Sequence, residues 1–169
     1  KELGSRYAAS LARALALRML EEYLAEERSA PGEADYALVE AGLEWKVQGE
    51  NFRGRLDRLD RLPSGVHEIV DYKTGGGQGK MEKGLQSAIE KGESMQLPLY
   101  VHACRENNLP VITASIYWLR REGRKRAVLD LAKTADAFEA ALRMAGERTA
   151  KMREGYYPSA PREGFSACR

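Results

Sequence analysis

The spacing of apolar residues divides the first half of the chain into a long helix and three strands. An apolar residue recurs at every fourth position over residues 3–23, which predicts an amphipathic helix. Apolar and polar residues alternate over 43–48, which predicts a first strand. Residues 51–62 and 66–73 predict two more strands, and Pro63-Ser64-Gly65 between them is typical of a hairpin turn.

The middle of the chain contains the least periodic segment. Residues 74–93 are rich in glycine, lysine and glutamate, and we expect a mobile stretch with a short helix at 85–90. Ser94 is a suitable N-cap for a following helix that Asn107 and Asn108 end.

Two strands and a helix are predicted for the remainder. Residues 111–119 are strongly strand-like, and 126–131 can pair with them as a hairpin. Thr134 is expected to cap a last helix that Gly155 ends, followed by an irregular tail over 156–169. The order α-β-β-β-α-β-β-α predicts one mixed α/β domain over residues 1–169.

Composition excludes several classes of protein. No apolar run reaches the roughly 18 residues of a membrane span, and no secretory signal is present. The 2 cysteines cannot form a disulfide framework, so we expect a cytoplasmic protein with Cys104 buried in a helix. Because the chain begins with Lys1 and stops at Arg169, we expect a domain excised from a longer protein.

Overall charge is almost balanced, with 27 basic and 25 acidic residues, so a nucleic-acid partner does not follow from it. Two local basic runs are compatible with phosphate binding or with solvated strand ends and loops. They comprise Arg53, Arg55, Arg58 and Arg61, and then Arg120, Arg121, Arg124, Lys125 and Arg126.

The predicted hairpin brings acidic residues together. If its turn centres on Ser64, residues equally distant from that point face each other, which places Asp57 opposite Asp71. Lys73 lies two residues beyond Asp71 and shares its face. Two adjacent carboxylates repel unless a cation lies between them, and a hard divalent ion prefers such oxygen ligands. The pattern therefore predicts a metal site beside an ammonium group.

This grouping suits phosphodiester hydrolysis, with Mg²⁺ as the expected ion. The lysine could orient or deprotonate the attacking water, or stabilise charge on the phosphate. The same register sets Arg55 opposite Lys73, so either a bulge shifts that end or Arg55 turns toward a phosphate. An Asp-x-Lys pattern is also common on exposed hairpins, but Trp45 and Ile69 favour a mostly buried sheet, where unpaired acids are costly.

Three motifs resemble the RecB/AddB-type nuclease domain of the PD-(D/E)xK superfamily. They are Gly54-x-x-Asp57-Arg58-x-Asp60, then Ile69-Val70-Asp71-Tyr72-Lys73-Thr74-Gly75, then Gln96-Leu-Pro-Leu-Tyr100. The resemblance implies a restriction-endonuclease-like α-β-β-β-α-β core with an added C-terminal strand and helix. It also implies a Mg²⁺- or Mn²⁺-dependent deoxyribonuclease, exonuclease-like, that works on DNA with a helicase domain or subunit in recombination and repair.

The resemblance assigns roles to individual residues. Asp57 and Asp71 would be metal ligands, the backbone carbonyl of Tyr72 a further ligand, and Lys73 the catalytic lysine. Gln96 and Tyr100 share a helix face and would contact DNA or order the lysine.

Several other residues near these motifs suit either a supporting role or an ordinary one. Glu44 would be a supporting acid or an exposed strand residue, and Arg55 a DNA contact. Arg58 and Asp60 match the signature, but alternation turns Asp60 away from Asp57, so we expect a structural role.

Two features depart from the family pattern. Many relatives carry a histidine ligand on the first helix, which this chain lacks, and His67 and His102 are expected to be structural or exposed. Relatives of the AddB type often hold an iron–sulfur cluster on four cysteines; with Cys104 and Cys168 alone, we predict no such cluster within this chain.

Two other functions remain open from the sequence. One is a DNA-binding or scaffolding module of the same fold with weakened catalysis. The other is a hydrolase of small phosphoesters, which the lack of a phosphate-cradling glycine loop disfavours.

Overall fold

The computed structural model describes residues 2–29, 35–73, 81–119 and 125–156. Helices and strands follow one another in these ranges in the order α1-β1-β2-β3-α2-α3-β4-β5-α4. Their bounds are α1 Glu2–Ser29, β1 Asp35–Val47, β2 Glu50–Arg61, β3 His67–Lys73, α2 Met81–Glu90, α3 Gln96–Glu106, β4 Val111–Trp118, β5 Lys125–Asp130 and α4 Ala135–Arg153.

The strands form one mixed sheet in the order β1-β2-β3-β4-β5. Neighbouring strands are antiparallel except β3 and β4, which are parallel. A parallel pair needs a crossover connection, and here it contains α2 and α3. The predicted α/β architecture, a restriction-endonuclease-like core with an added strand and helix, is confirmed.

The hydrophobic core lies between the sheet and helices α2, α3 and α4. Leu59 and Ile69 on neighbouring strands are completely buried, and Leu97, Val101 and Phe138 pack against them from α3 and α4. Burying each large aliphatic side chain contributes about 1.5–3 kcal/mol. This face of the sheet therefore anchors α3, the helix that carries Gln96.

The opposite face of the sheet is contacted by α1. Tyr23 of α1 packs edge-on against Tyr72 of β3 and Tyr117 of β4. Several large apolar side chains of α1 are about half exposed, among them Leu11 at 50% and Leu20 at 52%. The predicted helix is thus present, but much of its apolar surface stays outside the core.

Several boundaries differ from the predictions. β1 begins at Asp35 rather than near 43, and α2 occupies more of the segment expected to be mobile. The predicted capping by Ser94 is wrong: Met95 is the N-cap of α3, and the Ser94 N–H donates to the Ala88 carbonyl. Thr134 does precede α4, but its hydroxyl donates back to the Asp130 carbonyl instead of capping the helix.

Other predictions concern residues outside the described ranges. They are the glycine cluster at 74–80, the turn of the last hairpin at 120–124 and the tail beyond Tyr156. Among the helices that the structure does describe, none is long and apolar enough to cross a membrane.

Candidate active site

The β2–β3 hairpin has the register that its turn sequence predicts. Arg58 pairs with Val70, Leu59 with Ile69, Asp60 with Glu68 and Arg61 with His67, all equally distant from Ser64. The pairing ends at Arg58 and Val70. The strands therefore stop exchanging backbone hydrogen bonds just before Asp57 and Asp71.

The predicted opposition of Arg55 and Lys73 is wrong, because the β2–β3 pairing does not extend that far. Arg55 pairs with Gly42 of β1 instead, and its Nε lies 3.0 Å from a carboxylate oxygen of Glu40. Glu40 has a φ of 50°, and the β1–β2 register passes from Val39–Arg58 to Ala41–Leu56 around it. The Arg55 guanidinium is paired with the Glu40 carboxylate rather than set against Lys73.

Asp57 occupies the position where the hairpin ladder opens. Its Oδ2 accepts the backbone N–H of Tyr72 at 2.9 Å, so a side chain replaces the next rung of the ladder. In a strand, the N–H and carbonyl of one residue point to the same edge. The Tyr72 carbonyl is therefore directed toward the side on which Asp57 lies, which suits the ligand role implied for it.

Asp71 is a buried carboxylate with an unsatisfied oxygen. The residue is 2% exposed, and its Oδ1 accepts no hydrogen bond. Its Oδ2 lies 2.7 Å from Nζ of Lys73. Burial raises the pKa of Asp71 above its usual value, Lys73 opposes that rise, and the charge of Asp57 adds to it. An uncompensated buried carboxylate is costly, so this oxygen is suited to bind a cation.

Lys73 is held by two oxygen atoms. Besides its ion pair with Asp71, its Nζ donates to Oε1 of Gln96 at 2.7 Å. Gln96 is the first residue of α3, whose buried side chains fix it on the sheet. The structure thus brings together Asp57, Asp71, Lys73 and Gln96, and Gln96 orders the lysine.

Tyr100 lies one turn along α3 from Gln96 and holds a different part of the hairpin. Its hydroxyl donates to the Arg55 carbonyl at 2.6 Å, and its ring packs edge-on against Trp45. A Cβ at Gly54 would lie 2.9 Å from the Tyr100 ring and 3.0 Å from Trp45. The Tyr100 ring therefore packs so close to Gly54 that a larger residue at position 54 would clash with it. This contact links the first motif to the third.

The donor set fits a hard divalent ion only in part. Among the residues that the structure describes, no group of three or more His, Cys, Asp and Glu could enclose a metal. Two carboxylates and one backbone carbonyl nevertheless suit Mg²⁺, which binds through few protein oxygens and keeps several waters. The unsatisfied Oδ1 of Asp71 is the observation that favours such an ion here.

Two predicted supporting residues make no described side-chain hydrogen bond or ion pair with Asp57, Asp71 or Lys73. Glu44 pairs across the strands with Arg53, and its carbonyl accepts a hydrogen bond from Asn107 near the end of α3. Its side chain is exposed and makes no hydrogen bond or ion pair with Asp57, Asp71 or Lys73. Arg55 is likewise exposed and holds Glu40.

The two histidines bond to backbone carbonyls, as their predicted structural roles require. His67 is buried, with Nδ1 3.2 Å from the Pro110 carbonyl oxygen. His102 has Nε2 2.7 Å from the Lys46 carbonyl oxygen. Cys104 is completely buried in α3, and burial raises the pKa of its thiol to about 11.

Sequence reasoning missed how Arg58 and Asp60 are used behind the site. Asp60 is 3% exposed and receives two hydrogen bonds of 2.6 Å from Nε and Nη2 of Arg58. The Arg58 Nη1 atom contacts the hydroxyls of Tyr23 and Tyr72 and the carboxylate of Glu27. Tyr23 belongs to the apolar stripe of the first helix, so no local signal distinguished it from a core residue.

Comparisons with known proteins give one family match and a similar solved structure. The family model described as the PD-(D/E)XK nuclease superfamily matches residues 1–169. No curated protein matches the sequence. One similar solved structure is the crystal structure of SSO0001, with 18% identity and a TM-score of 0.41 over 78% of this chain. The match covers 61% of that protein, so this chain spans about three fifths of its length.

Proposed function

Because the chain belongs to the PD-(D/E)XK nuclease superfamily, we propose that it is a metal-dependent nuclease that hydrolyses phosphodiester bonds in DNA. Members of this superfamily are generally nucleases. The observation that carries the proposal is the buried, unsatisfied Oδ1 of Asp71 beside the Asp57 carboxylate and the Lys73 ammonium. Buried polar atoms are normally hydrogen-bonded, so a buried carboxylate oxygen without a partner, beside a second carboxylate, favours a bound cation.

Asp57, Asp71 and the Tyr72 carbonyl are the groups that would hold the ion. A bound Mg²⁺ or Mn²⁺ would supply Lewis acidity to the scissile phosphate and make a water molecule more acidic. The Tyr72 N–H orients the Asp57 carboxylate, and Lys73 pairs with Asp71 and opposes the rise in its pKa that burial causes.

Lys73 is the group that would act directly on the reacting atoms. Its side chain is 38% exposed, so a phosphate or water can reach the ammonium from solvent. Gln96 and Asp71 fix its Nζ at 2.7 Å each, which reduces the reorganisation needed to stabilise charge on the phosphate. Loss of either partner would leave the ammonium less well placed.

The motif trio around this site supports a narrower proposal, a RecB/AddB-type module. Here Gly54 and Tyr100 meet at one contact between β2 and α3, and Gln96 of the same helix holds Lys73 of β3. The chain would then degrade DNA as an exonuclease-like part of a repair or recombination system, alongside a helicase domain or subunit.

The test is cleavage of end-labelled linear single- and double-stranded DNA with Mg²⁺, with Mn²⁺ or with EDTA. We expect cleavage that requires a metal and is lost in Asp71→Asn and in Lys73→Gln. Asp130→Asn is the matched control, since it neutralises a strand aspartate whose carboxylate, among the described residues, contacts Lys133 and the Ala132 N–H and lies outside the Asp57–Asp71–Lys73 cluster.

Cleavage that persists equally in Asp71→Asn would show that a contaminant is responsible. Binding of DNA without cleavage under any metal would contradict the nuclease and favour the scaffolding alternative.

A further inference from the structure

The cluster behind the catalytic strand connects α1 to the backbone that carries the site. Arg58 is its centre, with a side chain that is 12% exposed and side-chain hydrogen bonds of 2.6 to 3.0 Å to four residues. Two of these partners, Tyr23 and Glu27, belong to α1. One partner, Tyr72, belongs to β3 between Asp71 and Lys73.

Tyr72 connects the side-chain cluster behind the sheet to the Asp57 carboxylate. Its hydroxyl lies 2.9 Å from Nη1 of Arg58 and 2.6 Å from the hydroxyl of Tyr23. Its backbone N–H donates to Oδ2 of Asp57 at 2.9 Å, and its two neighbours in the chain are Asp71 and Lys73. A shift of the Tyr72 ring would therefore move the amide that orients Asp57.

The normal sheet pairing cannot hold this amide. The β2–β3 ladder ends at Arg58 and Val70, so the Tyr72 N–H has the Asp57 side chain rather than a backbone carbonyl as its partner. On its other side β3 stays paired with β4 as far as Lys73, so only the side of Tyr72 that faces β2 lacks a backbone partner. The side-chain cluster supports β3 next to this point, since Arg58 is the last residue of β2 that pairs with β3 and also binds the Tyr72 hydroxyl.

We propose that Tyr72, through its hydroxyl, and Arg58 are positioning residues for the nuclease site, and that α1 completes the site by holding both from behind. The proposal rests on the proposed function only for its activity readout. It assigns α1 a part in catalysis although its described side chains contact the sheet on the face opposite Gln96.

Tyr72→Phe is the sharpest test, because it removes one hydroxyl and keeps the ring contacts with Tyr23 and Tyr117. The matched control is Tyr36→Phe. The Tyr36 hydroxyl donates to Glu27 at 2.8 Å in the same cluster, and its ring lies against Arg58, but it has no bond to β3. Both changes weaken the attachment of α1, and only the first interrupts the path to Asp57.

The first readout is hydrogen exchange of the backbone amide at position 72, measured by NMR without metal or DNA. We expect exchange to accelerate at least about 10-fold in Tyr72→Phe, because local opening of the Asp57 bond becomes easier. We expect no change at this amide in Tyr36→Phe. Equal protection in both variants would overturn the proposal, whether or not the protein cleaves DNA.

The second readout is steady-state cleavage well below the melting temperature. Misplaced supporting groups typically cost about 10–100-fold in activity, so kcat of Tyr72→Phe should fall by about that factor while KM for DNA stays within about twofold. A fall in Tyr36→Phe as large as in Tyr72→Phe would overturn the proposal, since attachment of α1 alone would then explain the loss. If the wild type proves inactive, the proposed nuclease function fails and the amide measurement alone decides the positioning role.

Discussion

The two faces of the β2–β3 hairpin each carry a buried aspartate, and the two carboxylates differ in their hydrogen bonding. Behind the sheet, Asp60 is 3% exposed and receives two charged hydrogen bonds from Arg58. In front of it, Asp71 is 2% exposed and keeps one oxygen without a partner. The two aspartates are about equally buried, so burial alone does not separate them. Under the proposed function, the rear pair stabilises the fold and the front carboxylate binds a metal ion.

The largest expected effect comes from Asp71→Asn on the front face. We expect DNA cleavage to fall about 1,000-fold or more, because several kcal/mol of transition-state stabilisation depend on the ion. Without metal, the same change should raise the melting temperature at neutral pH, because a costly buried charge disappears.

The pH dependence of that stability gain sharpens the comparison. Burial raises the pKa of Asp71 in the folded state, so folding disfavours the charged carboxylate. Ionisation of Asp71 therefore lowers the free energy of unfolding as the pH rises through that pKa. The advantage of Asp71→Asn in melting temperature should shrink as the pH falls and the wild-type carboxyl takes up a proton. A lower melting temperature for Asp71→Asn at neutral pH would contradict the account.

The rear face should respond to mutation in the opposite direction. Arg58→Ala leaves the buried Asp60 carboxylate without its partner, which typically costs about 3–5 kcal/mol. Chemical denaturation should show this loss. Arg55→Ala is the control on the same strand, since its exposed pair with Glu40 contributes no more than about 1 kcal/mol. Equal losses in the two variants would refute the rear-face role.

A third change acts on the contact between the hairpin and α3. Gly54→Ala forces a Cβ to 2.9 Å from the Tyr100 ring, and overpacking of this kind costs about 1–3 kcal/mol. Combining it with Tyr100→Ala should give less than the sum of the two losses, because the clash is then relieved in part. Strict additivity in denaturation curves would show that the two residues do not compete for space.

The smallest expected effect concerns the reactivity of Cys104, which makes no contact with Asp60 or Asp71 that the structure describes. Burial raises the pKa of its thiol from 9.0 to about 11, so in a Cys168→Ser background alkylation at pH 8 should require unfolding. Because the unfolded chain ionises first, the free energy of unfolding should fall modestly as the pH rises from 9.0 toward 11. Rapid labelling of the folded protein, followed by mass spectrometry, would contradict this burial.

The sequence predicted the front of the site better than the back. The turn at Ser64 sets the hairpin register, and alternation then places Asp71 and Lys73 on one face, because both rules are local. The contact between Tyr23 and Tyr72 joins residues 49 positions apart and leaves no periodic signal. The first part of β1 was missed for a related reason, since an edge strand that is mostly exposed shows no apolar alternation.

The central claim is that one divalent ion binds between Asp57 and Asp71, and Mn²⁺ tests it without any DNA. Substoichiometric Mn²⁺ should broaden the NMR amide signals of positions 57, 71 and 72 in the wild type, because paramagnetic relaxation acts only near the ion. In Asp71→Asn this broadening should disappear, while in Asp130→Asn it should remain. No broadening at these positions, or broadening centred elsewhere in the chain, would contradict the account.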